Sequence, residues 1–357
     1  MPRRLLITGA GTGETNNLIR SLRAGDASLV IVGCHADRFV LKKSAADRNY
    51  LIADSGQPGA RSALCRVIET EAIDLLIPNN DRDVRLVAGL REELPCRVFL
   101  PATSVIDLCQ DKYALTERLR SRGVPAPVTY PVTDLDGIDH TFEQLTPRAR
   151  LWCRIRTGSG SRGAIPVESP AQARSWIRYW QEMRGVPVTS FTLSEYLPGR
   201  DFACESLWKD GELVVAKTCE RLSYYGGSNR ASGVSSTPAL AKTVRAPRVV
   251  EVCAKAIRSV DPDASGVFSI DLKGDAEGVP CVTEINVGRF FMITNIFDLT
   301  GKYNLAVTYV RLALGEPVDL REEYDVAEDY YLVRDLDTLP GIFQAEELFE
   351  GIAEVGE

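Results

Sequence analysis

The chain of 357 residues is longer than one ordinary hydrophobic core requires and predicts two or three domains. Its apolar fraction of 45% and charged fraction of 25% are typical of a globular protein in water. The net charge of −7 disfavours a nucleic-acid partner, and no apolar run is long enough to cross a membrane. The apolar run after Arg3-Arg4 is short and ends in glycine, so we expect no signal peptide and a cytoplasmic protein.

The nine cysteines are scattered, and none has the C-x-x-C spacing of a metal or redox motif. Only two histidines, His35 and His140, are present, which disfavours a zinc site. We therefore expect reduced thiols in the core.

The first hundred residues alternate strands with helices, which predicts a parallel sheet covered by helices on both faces. The predicted strands are 4–9, 28–34, 73–81 and 97–101. The predicted helices are one after the glycine-rich turn that follows the first strand, and two more at 60–71 and 85–94.

From residue 104 the pattern becomes helical up to Gly123, and Pro125-Ala126-Pro127 then indicates a joint between domains. The later predicted strands are 151–153, 188–197, 203–209, 212–218, 266–274 and 280–287, the predicted helices are 171–183, 239–260 and 303–315, and an acidic tail follows.

The stretch TGAGTGETN at 8–16 has glycines before a helix, as dinucleotide-binding loops do. Its spacing is G-x-G-x-G, however, and not G-x-G-x-x-G, and Asp37 is a poor candidate for a ribose ligand. The pattern favours a structural or substrate-facing turn over a nicotinamide site.

Two carboxylates and an amide are predicted to meet near the end of the chain. Glu284 and Asn286 are two apart on a strand and so share a face, and the connection 272–280 brings Asp271 alongside. These hard oxygen ligands suit Mg²⁺ that keeps waters and bridges phosphates. The alternative is that both acids are solvated on an outer face.

The stretch RIRTGSGSRGA at 154–164 combines glycines and serines with arginines after a predicted strand. Backbone amides of such a loop can close over a triphosphate, and Arg154 would supply charge to the phosphates. Taken alone, the stretch favours a disordered surface hairpin over a phosphate loop, and the oxygen ligands downstream reverse that preference.

Four motifs in this order resemble the ATP-grasp superfamily, in particular its carboxylate–amine ligases and members like the carbamoyl-phosphate synthase large subunit. Asp111-Lys112 resembles the first nucleotide lysine, and 154–163 resembles the K-P-x-x-G-x-G-S-x-G strand and flexible loop. Residues 194–201, SEYLPGRD, resemble the hinge E-Y-L-P-G-x-E, and Asp271 with Glu284-Ile285-Asn286 resembles the metal-binding D…E-x-N.

The resemblance implies an α/β protein with α+β character in its ATP-binding part. A Rossmann-like domain preceding the ATP-grasp domain would span 1–103. A small lobe with the glycine-rich loop would span 104–190, a large lobe with the hinge and metal site 191–318, and an acidic C-terminal segment 319–357.

The resemblance also implies ATP and Mg²⁺, with Mn²⁺ as a substitute, and it assigns roles to individual residues. Three groups follow: metal ligands Asp271, Glu284 and Asn286; catalytic cations Lys217, Arg221 and Arg289; and nucleotide ligands Lys112, Arg154, Arg156, Gly158, Ser159, Gly160, Ser161, Glu195, Tyr196, Leu197 and Asp201.

The chain departs from the family pattern at four positions. Arg154 replaces lysine, Ile155 replaces proline, and Asp201 replaces glutamate. Where relatives have N-P-R, this chain has Asn286-Val287-Gly288-Arg289, one residue longer, so Arg289 reaches phosphate only if the backbone turns at Gly288.

The implied reaction has two steps. A substrate carboxylate attacks the γ-phosphate of ATP to give an acyl phosphate and ADP, and an amine then displaces phosphate to give an amide. Alternatives are carboxyphosphate chemistry on bicarbonate, a non-catalytic ATP-binding regulatory protein and, third, a dehydrogenase. Expected partners are a small carboxylate and an amine, with a possible homodimer.

Overall fold

The computed structural model describes residues 2–145, 150–334 and 350–354. The predicted acidic segment 319–357 therefore lies partly outside the described residues. Within the described ranges, no helix combines the length and apolarity that a membrane crossing demands.

The N-terminal part alternates strands and helices, as predicted. Its elements are β1 (Arg4–Thr8), α1 (Gly13–Gly25), β2 (Val30–His35), α2 (Arg38–Leu41), β3 (Arg48–Leu51), α3 (Ala60–Glu71), β4 (Leu75–Ile77), α4 (Asp81–Gly89), β5 (Arg97–Val98), α5 (Thr103–Gln110) and α6 (Lys112–Ser121).

A smaller unit follows the proline-rich joint. Its elements are β6 (Thr129–Pro131), α7 (Ile138–Gln144), β7 (Leu151–Ile155), β8 (Ile165–Val167), α8 (Pro170–Arg184) and β9 (Phe191–Glu195). The strands form an antiparallel sheet in the order β6-β9-β7-β8. Strand β9 thus belongs to the smaller unit's sheet, although the predicted division falls at residue 190.

The remaining elements build the largest antiparallel sheet. They are β10 (Asp201–Lys209), β11 (Glu212–Tyr224), β12 (Pro238–Thr243), α9 (Pro247–Val260), β13 (Gly266–Gly274), β14 (Pro280–Val287), α10 (Thr294–Asp298), α11 (Leu305–Leu314), β15 (Tyr331–Val333) and β16 (Ile352–Glu354). The sheet order is β14-β13-β10-β11-β12-β15.

The N-terminal sheet is parallel, in the order β16-β3-β2-β1-β4-β5. A parallel sheet followed by two antiparallel ones confirms the predicted fold class. The alternating apolar strand residues of the N-terminal and largest sheets share core clusters: Leu5 and Ile7 pack with Leu207 and Val267. Buried side chains therefore hold these two sheets against each other.

The predicted helix 239–260 is wrong in its first part. Residues 238–243 form β12, which pairs antiparallel with β11, and helix α9 begins only at Pro247. Proline fits the first turn of a helix but disrupts its interior, so Pro247 is the helix start that the sequence contained. Strand β11 also runs to Tyr224, beyond the predicted end at 218.

The first glycine loop makes a tight turn between β1 and α1. Thr12 caps α1 by accepting from the Thr15 amide at 3.3 Å, and Gly9 and Gly11 both have positive φ. A Cβ at Gly11 would lie 1.8 Å from the carbonyl oxygen of Val40. Glycine is therefore required here by the close approach of two backbone segments.

Gly11→Ala should lower the free energy of unfolding by about 2–4 kcal/mol, because overpacking and a left-handed φ act together. Urea denaturation measures this change. Gly89→Ala is the matched control, since a Cβ there meets nothing within 4 Å. Equal stability of the two variants would contradict the packing argument.

Candidate active site

A cavity of about 630 Å³ contains most of the predicted site residues. Its walls come from the start of α1 and α4, the β7–β8 loop, the segment after β9, and strands β10, β11, β13 and β14. The predicted residues that line it are Lys112, Arg154, Gly158, Ser159, Gly160, Ser161, Glu195, Tyr196, Leu197, Asp201, Arg221, Asp271, Glu284, Asn286 and Arg289.

The three predicted metal ligands are neighbours on β13 and β14. Asp271 pairs with Glu284 in the strand register, and Asn286 Nδ2 donates to Asp271 Oδ2 at 3.0 Å. All three face the cavity and not an outer surface. Two carboxylates and an amide oxygen suit Mg²⁺.

The described residues that line the cavity include no histidine or cysteine that could bind a metal. Among the residues that the structure describes, no group of three His, Cys, Asp or Glu side chains could hold a metal. A metal at Asp271 and Glu284 would therefore need the Asn286 amide, waters or substrate oxygens to complete its coordination, as Mg²⁺ commonly does.

Three cations surround these ligands. Lys112 Nζ lies 3.2 Å from Glu284 Oε1, Arg221 donates to Asp271, and Arg289 donates to the Asn286 side-chain oxygen. Burial lowers the pKa of Arg221, but the carboxylates of Asp271 and Asp201 outweigh it and raise that pKa well above its ordinary value. The site thus offers fixed positive charge beside a set of oxygen ligands, an arrangement that suits a polyphosphate with its metal.

Arg154 is buried on β7 with part of its guanidinium unsatisfied. Its Nη2 donates to the Thr283 carbonyl at 3.1 Å, while its Nε has no hydrogen-bond partner among the described residues. Burial lowers the pKa of Arg154, and the charges of Glu284 and Asp271 oppose that shift. An unsatisfied buried guanidinium at a cavity wall favours an anionic ligand.

The glycine-rich loop reaches over the cavity towards α6. Gly158 and Gly160 have φ of 104° and 76°, and a Cβ at either would meet nothing within 4 Å. The Gly158 carbonyl accepts from Lys112 Nζ at 2.5 Å. The glycines serve backbone conformation and not tight packing, which suits a loop that closes over a ligand.

The segment after β9 forms the opposite wall. The Glu195 carboxylate accepts from the Val128 amide at 2.6 Å and so braces the proline-rich joint. Asp201 accepts from the Tyr224 hydroxyl at 2.7 Å, and its Oδ1 lies 3.6 Å from Arg221 Nη1. Tyr196 lies under Lys273 and beside Trp152, which gives this wall an aromatic surface.

Two predicted residues do not line the cavity. Lys217 is buried, and its Nζ donates to Asp325 Oδ2 at 2.6 Å. Arg156 makes a bidentate ion pair with Asp111, at 2.6 and 2.5 Å, which fixes the start of α6. The geometry supports a structural role for both, and not the predicted catalytic role of Lys217 or nucleotide role of Arg156.

The extra residue before Arg289 is accommodated by a turn. Gly288 has a φ of 74°, and a Cβ there would lie 2.8 Å from Leu100 Cδ2. This turn returns Arg289 to the cavity, where its Nε donates to Asp81 Oδ1 at 2.6 Å. The predicted condition for Arg289 to reach the site is therefore met.

Several residues that line the cavity were not predicted from the sequence. Lys273 is two residues after Asp271 on β13, and this spacing of two was the signal that could have identified it. No sequence pattern identifies the other missed residues, because they reach the cavity only through tertiary packing. They are Trp152, Thr283 and the segment 232–236.

Glu205 is a buried carboxyl group behind the site. Its Oε1 accepts from the Phe291 amide at 2.8 Å, from the Thr294 hydroxyl at 2.9 Å and from the Ser269 hydroxyl at 3.0 Å. Burial raises the pKa of Glu205 from 4.5 to about 8. These bonds fix the segment that follows Arg289.

Solved structures share this architecture at low sequence identity. The L-amino acid ligase from Bacillus licheniformis superposes with a TM-score of 0.67 and 14% identity, over 87% of this chain and 74% of that one. The chain has the ATP-grasp fold. The carboxyaminoimidazole ribonucleotide synthase from Aspergillus clavatus, solved with ATP, gives 0.67 and 15% identity over 90% and 79% of the two chains.

Biotin carboxylase from Campylobacter jejuni gives a TM-score of 0.70 and 12% identity over 93% of this chain and 74% of that one. No protein-family model matches the chain. At these identities the likeness shows the fold of the ATP-grasp enzymes.

Lys217→Met should destabilise the fold by about 3–5 kcal/mol, because it leaves the buried carboxylate of Asp325 without its cationic partner. The double variant Lys217→Met/Asp325→Leu should recover much of that loss. Thermal unfolding measures both effects, and calorimetric ADP binding by the double variant should match that of the wild type. A specific loss of ADP binding would instead return Lys217 to the site.

The raised pKa of Glu205 predicts a pH-dependent stability. Between pH 4.5 and about 8, Glu205 keeps its proton in the folded protein but loses it in the unfolded chain. Its contribution to the free energy of unfolding is therefore fully present at low pH and is lost as pH rises towards 8. Glu205→Gln should flatten this part of the profile in urea titrations. An unchanged profile would contradict the assignment.

Proposed function

We propose that this chain is an ATP- and Mg²⁺-dependent ligase that activates a substrate carboxylate as an acyl phosphate and joins it to an amine, releasing ADP and phosphate. The observation that carries the proposal is the pairing of Asp271 with Glu284 inside a cavity lined by Lys112, Arg221 and Arg289. Oxygen ligands and cations at one point are what phosphoryl transfer requires, since its catalysis is mainly positioning and charge stabilisation.

Each part of the cavity has a task in this reaction. The wall formed by Tyr196, Leu197 and Asp201 would hold the adenosine, and the 158–161 loop would cover the phosphates. Lys112, Arg154 and Arg221 would bind phosphate oxygens. Asp271, Glu284 and Asn286 would hold Mg²⁺, which neutralises charge that develops on the transferred phosphoryl group.

The substrate carboxylate would approach from the side of Arg289. Its oxygen forms a bond to the γ-phosphorus while the bond to the β-phosphate oxygen breaks, so ADP leaves with that electron pair. The amine then attacks the acyl carbon, phosphate leaves, and the amine proton passes to solvent or phosphate. Closure of the glycine-rich loop would exclude water, which would otherwise hydrolyse the acyl phosphate.

The solved neighbours support ATP and Mg²⁺ as ligands. One was determined with ATP, and a biotin carboxylase domain from Hydrogenobacter thermophilus was determined with MgADP and bicarbonate. The latter has a TM-score of 0.69 over 93% of this chain at 14% identity, which makes phosphorylation of bicarbonate the second candidate.

Hydroxylamine trapping separates the two candidates. An acyl phosphate reacts with hydroxylamine to give a hydroxamic acid and phosphate, so a carboxylic-acid substrate is found without knowing its natural amine. We expect hydroxamate and ADP in equal amounts with particular acids, Mg²⁺ and ATP. Release of ADP with bicarbonate alone would favour the second candidate, and AMP with pyrophosphate would contradict both.

Glu284→Gln should lower ADP production at least about 100-fold, because it removes a charged metal ligand from the site. Coupled-enzyme detection of ADP measures the loss. Glu277→Gln is the matched control, as Glu277 is exposed in the turn between the same two strands. Normal turnover by Glu284→Gln would contradict the metal assignment.

A further inference from the structure

Glu14 lines the cavity from the first turn of α1. Asn80, Asp81, Arg289 and Met292 line the same cavity, and the charges of Asp81 and Arg289 act on Glu14. The N-terminal part of the chain thus contributes charged side chains to the cavity that contains the predicted metal ligands.

The orientation of Glu14 follows from its helix. Asn17, three residues later, donates through Nδ2 to the Met292 carbonyl at 2.9 Å. Residues three apart on a helix lie on the same face, so Glu14 faces the same segment, 289–293. The Phe290 amide donates to Asn79 at 3.3 Å, which holds that segment against the N-terminal sheet. Glu14 is thus fixed relative to Arg289.

The charge of Glu14 is unmatched at close range. Arg289 donates to Asp81 and to Asn286, whereas the Glu14 carboxylate has no hydrogen bond or ion pair among the described residues. Burial raises the pKa of Glu14, Arg289 and Arg334 oppose that shift, and Asp81 adds to it. A half-buried carboxylate without a partner on a cavity wall favours a cationic or hydrogen-bonding ligand.

We propose that Glu14 binds the ammonium group of the substrate whose carboxylate is activated, so that this substrate is an amino acid. The inference rests on the proposed ligase function and extends it to a substrate class. Arg289 contacts Asn286 and acts electrostatically on Glu14, so a zwitterion can present its carboxylate to Arg289 and the γ-phosphate while its ammonium meets Glu14. Asn80 would accept or donate one further hydrogen bond.

The test compares amino acids with the same acids lacking the amino group, in the presence of Mg²⁺, ATP and hydroxylamine. Suitable pairs are alanine with propionate, leucine with 4-methylpentanoate, and phenylalanine with 3-phenylpropionate, extended to all proteinogenic amino acids. Hydroxylamine takes the place of the second substrate, so selectivity reports on the activated acid alone. Hydroxamate and ADP are both measured.

Wild-type protein should form hydroxamate with one or more amino acids and at least about 10-fold less with the deaminated partners. Glu14→Gln should raise the KM for the amino acid about 10- to 100-fold, the usual effect of losing a charge-assisted hydrogen bond, and leave the KM for ATP unchanged. Glu117→Gln, an exposed glutamate on α6, is the matched control and should change neither.

The outcomes separate the two levels of the proposal. Equal hydroxamate yields from amino acids and deaminated acids, or an unchanged amino-acid KM in Glu14→Gln, would overturn the role of Glu14 while the ligase function survives. If no acid yields hydroxamate or ADP, the ligase function itself fails. Calorimetric titration of amino acids into the MgADP complex then decides the role of Glu14, because binding that depends on Glu14 supports it and absent binding overturns it.

Discussion

The antiparallel register of β13 and β14 is the constraint on which the site depends. It places Asp271 directly opposite Glu284, two residues before Asn286 on the same face, and so concentrates negative charge at one point of the largest sheet. Buried or half-buried carboxylates need compensation, and Lys112, Arg221 and Arg289 provide it from three other segments of the chain. The cavity is therefore held by charge pairs as well as by packing.

The same pairs connect the parts of the protein. Lys112 starts α6, Arg221 comes from β11, and Arg289 follows the turn at Gly288 and reaches Asp81 at the start of α4. The phosphate oxygens of a bound ligand would replace these carboxylates as the partners of the three cations. This replacement would change the contacts of each of the segments that carry them. Glu205 accepts hydrogen bonds from Phe291 and Thr294, which fixes the segment after Arg289 and so helps to hold Arg289 in position.

Much of the site could be predicted from the sequence because it depends on local rules. Spacing by two on a strand predicted the shared face of Glu284 and Asn286. The glycines of 158–163 predicted a loop beside the cavity, and a Cβ at Gly158 or Gly160 would meet nothing within 4 Å. The helical prediction for 239–246 failed because Pro247 was not recognised as a helix start and because the pairing of β12 with β11 is a tertiary contact. The prediction that Lys217 lies in the site failed for a similar reason. Its partner Asp325 is 108 residues away in the sequence, and no local pattern indicates that the two residues pair.

A metal–nucleotide site at β13 and β14 can be tested by calorimetric titration of ADP, with and without Mg²⁺, into wild-type protein and Asp271→Asn. We expect Mg²⁺ to strengthen ADP binding by the wild type about 10-fold or more, and this gain to disappear in Asp271→Asn while metal-free binding is kept. Binding that is independent of Mg²⁺ in the wild type, or a metal effect that persists in the variant, would contradict a metal–nucleotide site at β13 and β14.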